Sequence, residues 1–104
     1  MPDLKLTKRD LQVLTASVGD NYDVTVRQTE EGFWTIHVTF IRNEQTYLMQ
    51  TTRGAVKAWR DLCHVIQFVQ NHCKAARNIF VEVGDWKLTR LSDNFRVALI
   101  STRS

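Results

Sequence analysis

The chain has 104 residues, of which 43% are hydrophobic and 24% are charged, and its formal net charge is +3. This length predicts one domain, and this composition is typical of a globular chain with its own core rather than of a disordered segment. No apolar run approaches the roughly 18 residues needed to cross a bilayer, and the first residues do not resemble a signal peptide, so we expect a cytoplasmic protein that does not associate with membranes.

Charge is distributed unevenly along the chain. Residues 1–52 carry five Lys or Arg and seven Asp or Glu, a net charge of −2, whereas residues 53–104 carry nine and four, a net charge of +5. Such asymmetry favours a polyanionic partner or an acidic protein surface.

A short helix is predicted near the N-terminus. Thr7 is placed to cap it and Asp10 to complete a capping box, while Leu6 and Leu11 occupy the two positions of a hydrophobic staple. Gly19 supplies the stop, which predicts a helix of about three turns.

Three strands are predicted next, over 22–27, 34–40 and 45–51, because apolar and polar residues alternate there. Their spacing predicts an antiparallel meander with one apolar face and one face bearing Thr, His and Arg.

The longest helix is predicted over 55–73, after a break in the strand pattern at 51–54. Its inner side is apolar and should lie across the sheet. The residues on that side are Trp59, Leu62, Ile66, Val69 and Cys73.

Further strands are predicted over 79–83, 86–88 and 95–100, with a turn over 91–94. The element order is then αβββαβββ. We therefore expect a single α+β domain over residues 1–104, in which a mostly antiparallel sheet has one long helix packed across one face and a short N-terminal helix beside it.

Two neighbouring Cys–His pairs fall in the predicted long helix, Cys63-His64 and His72-Cys73. They would lie some 12–15 Å apart, too far to share one zinc ion, and adjacent side chains on a helix diverge by about 100°. We expect buried thiols and no metal or other cofactor. His37 lies in the middle of a predicted strand, and no acidic residue is placed in the sequence to orient its ring. An enzyme that uses His37 as a general base is the third and least favoured hypothesis.

The three tryptophans, Trp34, Trp59 and Trp86, are all predicted to face inward. Rings that stack on unpaired bases must instead be exposed on a sheet face, so this pattern does not favour an RNA-recognition sheet.

A basic stripe is the strongest candidate for a binding site. Arg53, Lys57 and Arg60 are spaced i, i+4, i+7 on the outer side of the predicted long helix. Like charges at this spacing, near a helix N-terminus, disfavour the helix slightly, which suggests an anionic partner. The alternative is an ordinary solvated face.

The stretch 47–69, YLMQTTRGAVKAWRDLCHVIQFV, resembles the ParC-type accessory proteins of proteobacterial plasmid partition loci. The residues that carry the resemblance are Thr51 or Thr52, Arg53, Gly54, Lys57, Trp59, Arg60 and Leu62. The family places an aspartate after the leucine, whereas here Asp61 precedes Leu62. The resemblance implies a bacterial mobile-element protein with a non-enzymatic role in DNA maintenance.

We therefore expect a non-enzymatic accessory protein that binds DNA, or a DNA-bound partner, through Arg53, Lys57 and Arg60. The alternative is a protein–protein interaction module or inhibitor, encoded by a mobile element, that occupies a partner's nucleic-acid or acidic site. The open sheet face and edges also allow a homodimer.

Overall fold

The computed structural model describes residues 4–42, 44–51, 53–90 and 97–102. Within them the chain forms one sheet of eight strands and two helices, which confirms the α+β class. The elements are β1 (Leu4–Leu6), α1 (Lys8–Val18), β2 (Tyr22–Gln28), β3 (Trp34–Phe40), β4 (Gln45–Met49), β5 (Ala58–Trp59), α2 (Leu62–His72), β6 (Asn78–Val83), β7 (Trp86–Arg90) and β8 (Val97–Thr102). Neither helix is long and apolar enough to cross a membrane.

The beginning of α1 is the predicted one. The hydroxyl of Thr7 accepts a hydrogen bond from the Asp10 amide at 3.1 Å, and the Asp10 carboxylate accepts one from the Thr7 amide at 3.0 Å. Leu6 and Leu11 are both buried, as the staple requires. The helix ends at Gly19, whose φ of 65° lies in the left-handed region that glycine adopts without strain.

The sheet joins two antiparallel parts. Strands β2, β3 and β4 form the predicted meander, and β6, β7 and β8 form a second one. A parallel pairing of β2 with β6 joins them, and β1 adds to the edge of β4, also in parallel. The strand order is β1-β4-β3-β2-β6-β7-β8, with β5 paired to β3.

One face of the sheet carries the core, to which both helices contribute. Alternate residues of the central strands point to this face, and Leu11 of α1 and Val65 and Val69 of α2 are buried against them. The other face is polar and half-buried. It holds two ion pairs, Arg27–Glu82 at 3.0 Å and Arg77–Asp23 at 3.3 Å.

The predicted long helix over 55–73 is wrong. Helix α2 begins at Leu62, and its N-cap is Asp61, whose carboxylate accepts a hydrogen bond from the Cys63 amide at 3.0 Å. The preceding residues belong to the sheet, since Ala58–Trp59 pairs with the start of β3. Strand β4 pairs with β3 only from His37 onward, so β5 occupies an edge that would otherwise stay open.

The shorter helix also changes the burial of several predicted core residues. Cys73 is buried as predicted, but Cys63 is exposed. Trp34 is only 6% exposed, Trp59 is half-buried, and Trp86 is 52% exposed, so the prediction that all three tryptophans face inward is wrong for Trp86. The predicted turn over 91–94, together with Thr52, lies outside the described residues.

Candidate nucleic-acid interface

A tight hairpin follows β4, and we call its described residues, 50–51 and 53–57, the arm. Gln50 bridges Val56, and the Thr51 amide donates to the Ala55 carbonyl at 2.7 Å. Gly54 makes the reversal possible with a φ of 90°. Its neighbour Arg53 is exposed at the tip, where a guanidinium can reach a partner without leaving a buried contact.

Lys57 lies at the base of the arm and is held in place there. Its amide donates to the Met49 carbonyl at 3.0 Å. Its ammonium lies 5.6 Å from the centre of the Trp59 ring and 5.0 Å from that of Phe68 on α2. Such cation–π contacts, with the aliphatic stem packed on apolar surface, restrict the position of the charge.

Arg60 leaves β5 on the opposite side. Its guanidinium lies 5.7 Å from the centre of the Phe33 ring, in the loop between β2 and β3. Side chains alternate along a strand, so Lys57 and Trp59 share one side and Arg60 takes the other. The three predicted cations therefore do not form one helical line. They instead follow the arm and its exit strand at one end of the sheet.

A row of rings extends from Lys57 along α2. The ring centres of Trp59 and Phe68 are 5.1 Å apart, and those of Phe68 and His72 are 4.6 Å apart. Partial burial lowers the pKa of His72 below its ordinary value of 6.5, and the positive charges of Lys8 and Lys57 lower it further. His72 therefore lies beside the base of the arm, with Lys8 near it, which the sequence pattern did not indicate.

Acidic side chains border this basic surface. Glu30 and Glu31 are exposed in the loop that also contains Phe33.

The turn between β3 and β4, which carries the exposed Arg42, lies at the opposite end of the same strands. Arg42 and Arg53 are exposed arginines in turns at opposite ends of the meander. Substitution of Arg42 is therefore a control for substitution of Arg53.

The other candidate groups remain dispersed. The Thr35 hydroxyl lies 3.1 Å from Nε2 of the half-buried His37. Burial raises the pKa of the Cys73 thiol to about 12, which keeps it protonated at neutral pH, and a protonated thiol is a poor nucleophile. In the part of the chain that the structure describes, no three His, Cys, Asp or Glu side chains gather as metal ligands would.

No protein-family model matches the chain, and neither does any curated protein or solved structure. The interpretation of this surface therefore depends on its own geometry and charge.

Proposed function

We propose that the protein is a non-enzymatic accessory factor that binds DNA through the arm, with Arg53, Lys57 and Arg60 contacting phosphate groups. The observation that carries the proposal is the arm itself, which presents an exposed arginine at a tight tip and fixes a lysine at its base. Phosphate contacts of this kind position a protein on nucleic acid but specify no sequence.

The aromatic contacts support this role for Lys57 and Arg60. Each cation is held over a ring, and among the described residues neither pairs with a carboxylate, so its charge is not neutralised within the contact that positions it. Holding a long side chain before the partner arrives reduces the conformational entropy lost on binding. The excess of positive charge in residues 53–104 adds a longer-range attraction for a polyanion.

The residues that resemble ParC-type accessory proteins include all three of these cations. On the basis of that resemblance we propose that the protein is encoded by a bacterial mobile element and acts in plasmid maintenance. In this role the arm would bring the protein to DNA, or to a protein already bound there.

A second candidate function is a protein–protein interaction module, and exposed apolar side chains favour it. Val13 is 65% exposed and Leu14 37% exposed on α1, and Val56 is 42% exposed on the arm. Exposed apolar side chains that lie side by side, as Val13 and Leu14 do on α1, occur where proteins bind one another. Under this hypothesis the basic arm meets an acidic protein surface, and the apolar groups supply the contact area.

Isotope-labelled protein titrated with a 12-base-pair duplex tests the first function. We expect the amide resonances of Arg53, Lys57 and Arg60 to shift, and those around Arg42 to stay unchanged, because Arg42 lies at the other end of the meander. Shifts centred on Arg42, or shifts of equal size over the whole surface, would contradict the proposed interface.

A further inference from the structure

Two cations, Lys8 and Lys57, lie close enough to His72 to lower its pKa, although the three residues belong to three different elements. Lys8 lies in the first turn of α1, Lys57 at the base of the arm, and His72 in the last turn of α2. The Phe68 ring lies between two of them, since the Lys57 ammonium lies 5.0 Å and the His72 ring 4.6 Å from its centre.

A groove of about 400 Å³ opens next to these groups, between α1 and the end of α2. Most of its lining residues offer hydrogen-bond donors, and none of them is acidic. The lining comprises Gln12, Thr15, Ala16, Gly19, Tyr22, Asn71, His72, Lys74 and Ala75. Gln12 is one helical turn beyond Lys8, so the two residues lie on the same side of α1.

Like charges that face one another are unfavourable for the free protein. Three lysines from different segments lie near His72. They are Lys8 of α1, Lys57 of the arm and Lys74, which follows α2. Both Lys8 and Lys57 disfavour protonation of His72, as does its partial burial. A bound anion would reverse this effect, because it would be attracted to all of these groups at once.

We propose that this groove binds a phosphate group of the nucleic acid contacted by the arm, with a protonated His72 in its lining as the ligand and with Lys8 and Lys57 adding positive charge nearby. The inference rests on the proposed function, since Lys57 belongs to both surfaces. It adds Lys8 and His72 to the interface and makes binding dependent on pH.

The direction of the pH dependence follows from linkage. In the free protein the pKa of His72 lies below 6.5, so the ring is neutral at pH 8. A phosphate bound beside the ring raises this pKa. Affinity therefore increases as the pH falls below the pKa of His72 in the complex, and it levels off below the pKa of His72 in the free protein. One unit of difference between the two states corresponds to about a tenfold change in affinity.

The test compares duplex binding at pH 5.5 and pH 8, at constant salt, for the intact chain. We expect the wild type to bind a fluorescent 12-base-pair duplex about tenfold more tightly at pH 5.5. His72→Gln should lose most of the increase at pH 5.5, because glutamine gains no positive charge as the pH falls. The matched control is His64→Gln, which alters an exposed histidine of the same helix and should keep the increase.

A second measurement keeps the inference testable if His72→Gln does not fold. The ring resonances of His72 in the wild type, followed through a pH titration, should report a higher pKa with duplex present than without it. Inorganic phosphate at the same phosphate concentration should raise this pKa less, because it lacks the contacts made by the arm.

The outcomes separate the two proposals. Absence of duplex binding at both pH values would refute the proposed function, and this inference with it. Binding that does not change with pH, or that strengthens equally in His72→Gln, would overturn the phosphate site and leave the arm in place. If inorganic phosphate raises the pKa of His72 and the duplex does not, the groove is a small-anion site and its assignment to nucleic acid is wrong.

Discussion

Replacement of Trp34 by alanine is expected to cost about 3–5 kcal/mol in the free energy of unfolding. Trp34 is 6% exposed at the start of β3, where it pairs with Trp59 and packs in the core. A small domain has a total stability of only about 5–15 kcal/mol, so this variant should lose a large fraction of it. Urea denaturation followed by circular dichroism measures the loss.

The other two tryptophans provide graded controls for this measurement. Trp86→Ala should cost clearly less, about 1–2 kcal/mol, since this residue is 52% exposed and only its buried part contributes. Trp59→Ala should fall between the two, because Trp59 is half-buried and packs against Phe68. If Trp86→Ala lost as much stability as Trp34→Ala, the Trp86 side chain would have to be buried in the core, which would contradict its observed exposure.

The triple variant Arg53→Gln, Lys57→Met, Arg60→Gln is expected to bind duplex DNA on the order of 10²–10³-fold more weakly than the wild type. Each substitution removes one charge-assisted contact with phosphate. Methionine at position 57 keeps an unbranched stem that can pack on Trp59 and Phe68, so the fold should be retained. Fluorescence anisotropy with a labelled duplex measures the change.

Arg42→Gln is the matched control, since it removes one exposed cation from a turn at the other end of the meander. It should reduce affinity by less than about threefold, as expected for a charge that acts only through the long-range potential. Equal losses for Arg42→Gln and Arg53→Gln would mean that net charge, and not the arm, governs binding. A triple variant that binds DNA like the wild type would identify the arm as a solvated surface.

Sequence patterns predicted the parts of the fold that local interactions determine. The beginning of α1 needs only the side chains of Thr7 and Asp10 and the staple of Leu6 and Leu11, all within a few residues. The meander of β2, β3 and β4 likewise needs only alternation and short turns. The two parallel pairings join distant segments, and no periodicity reports which strands will lie side by side.

The error over 55–61 has a specific physical cause. The spacing of Trp59, Leu62 and Ile66 fits the apolar side of a helix, and periodicity alone extends that helix backward. The edge of β3 beside Trp34 and Thr35 offers Ala58–Trp59 hydrogen bonds that a helix would have to forgo. Asp61 was a local signal for the true helix start, because aspartate is among the best N-cap residues.

The sequence indicated which cations belong to the candidate site, but it did not indicate how they are arranged. The three cations Arg53, Lys57 and Arg60 stand out in the sequence because no acidic residue separates them. The positions of Lys57 over Trp59 and Phe68 and of Arg60 over Phe33 depend on contacts with α2 and with the loop before β3. Lys8 and His72 approach the arm only once both helices have packed on the sheet, so no sequence motif could have indicated them.

The salt dependence of duplex binding by the wild-type chain tests the central claim most directly. If Arg53, Lys57 and Arg60 each contact a phosphate, a plot of log K against log salt concentration should have a slope of about −2.7 at pH 8, where His72 is neutral. Affinity should then fall about 40-fold between 50 and 200 mM salt. No binding to duplex or single-stranded DNA at low salt, or binding that salt does not weaken, would contradict the claim.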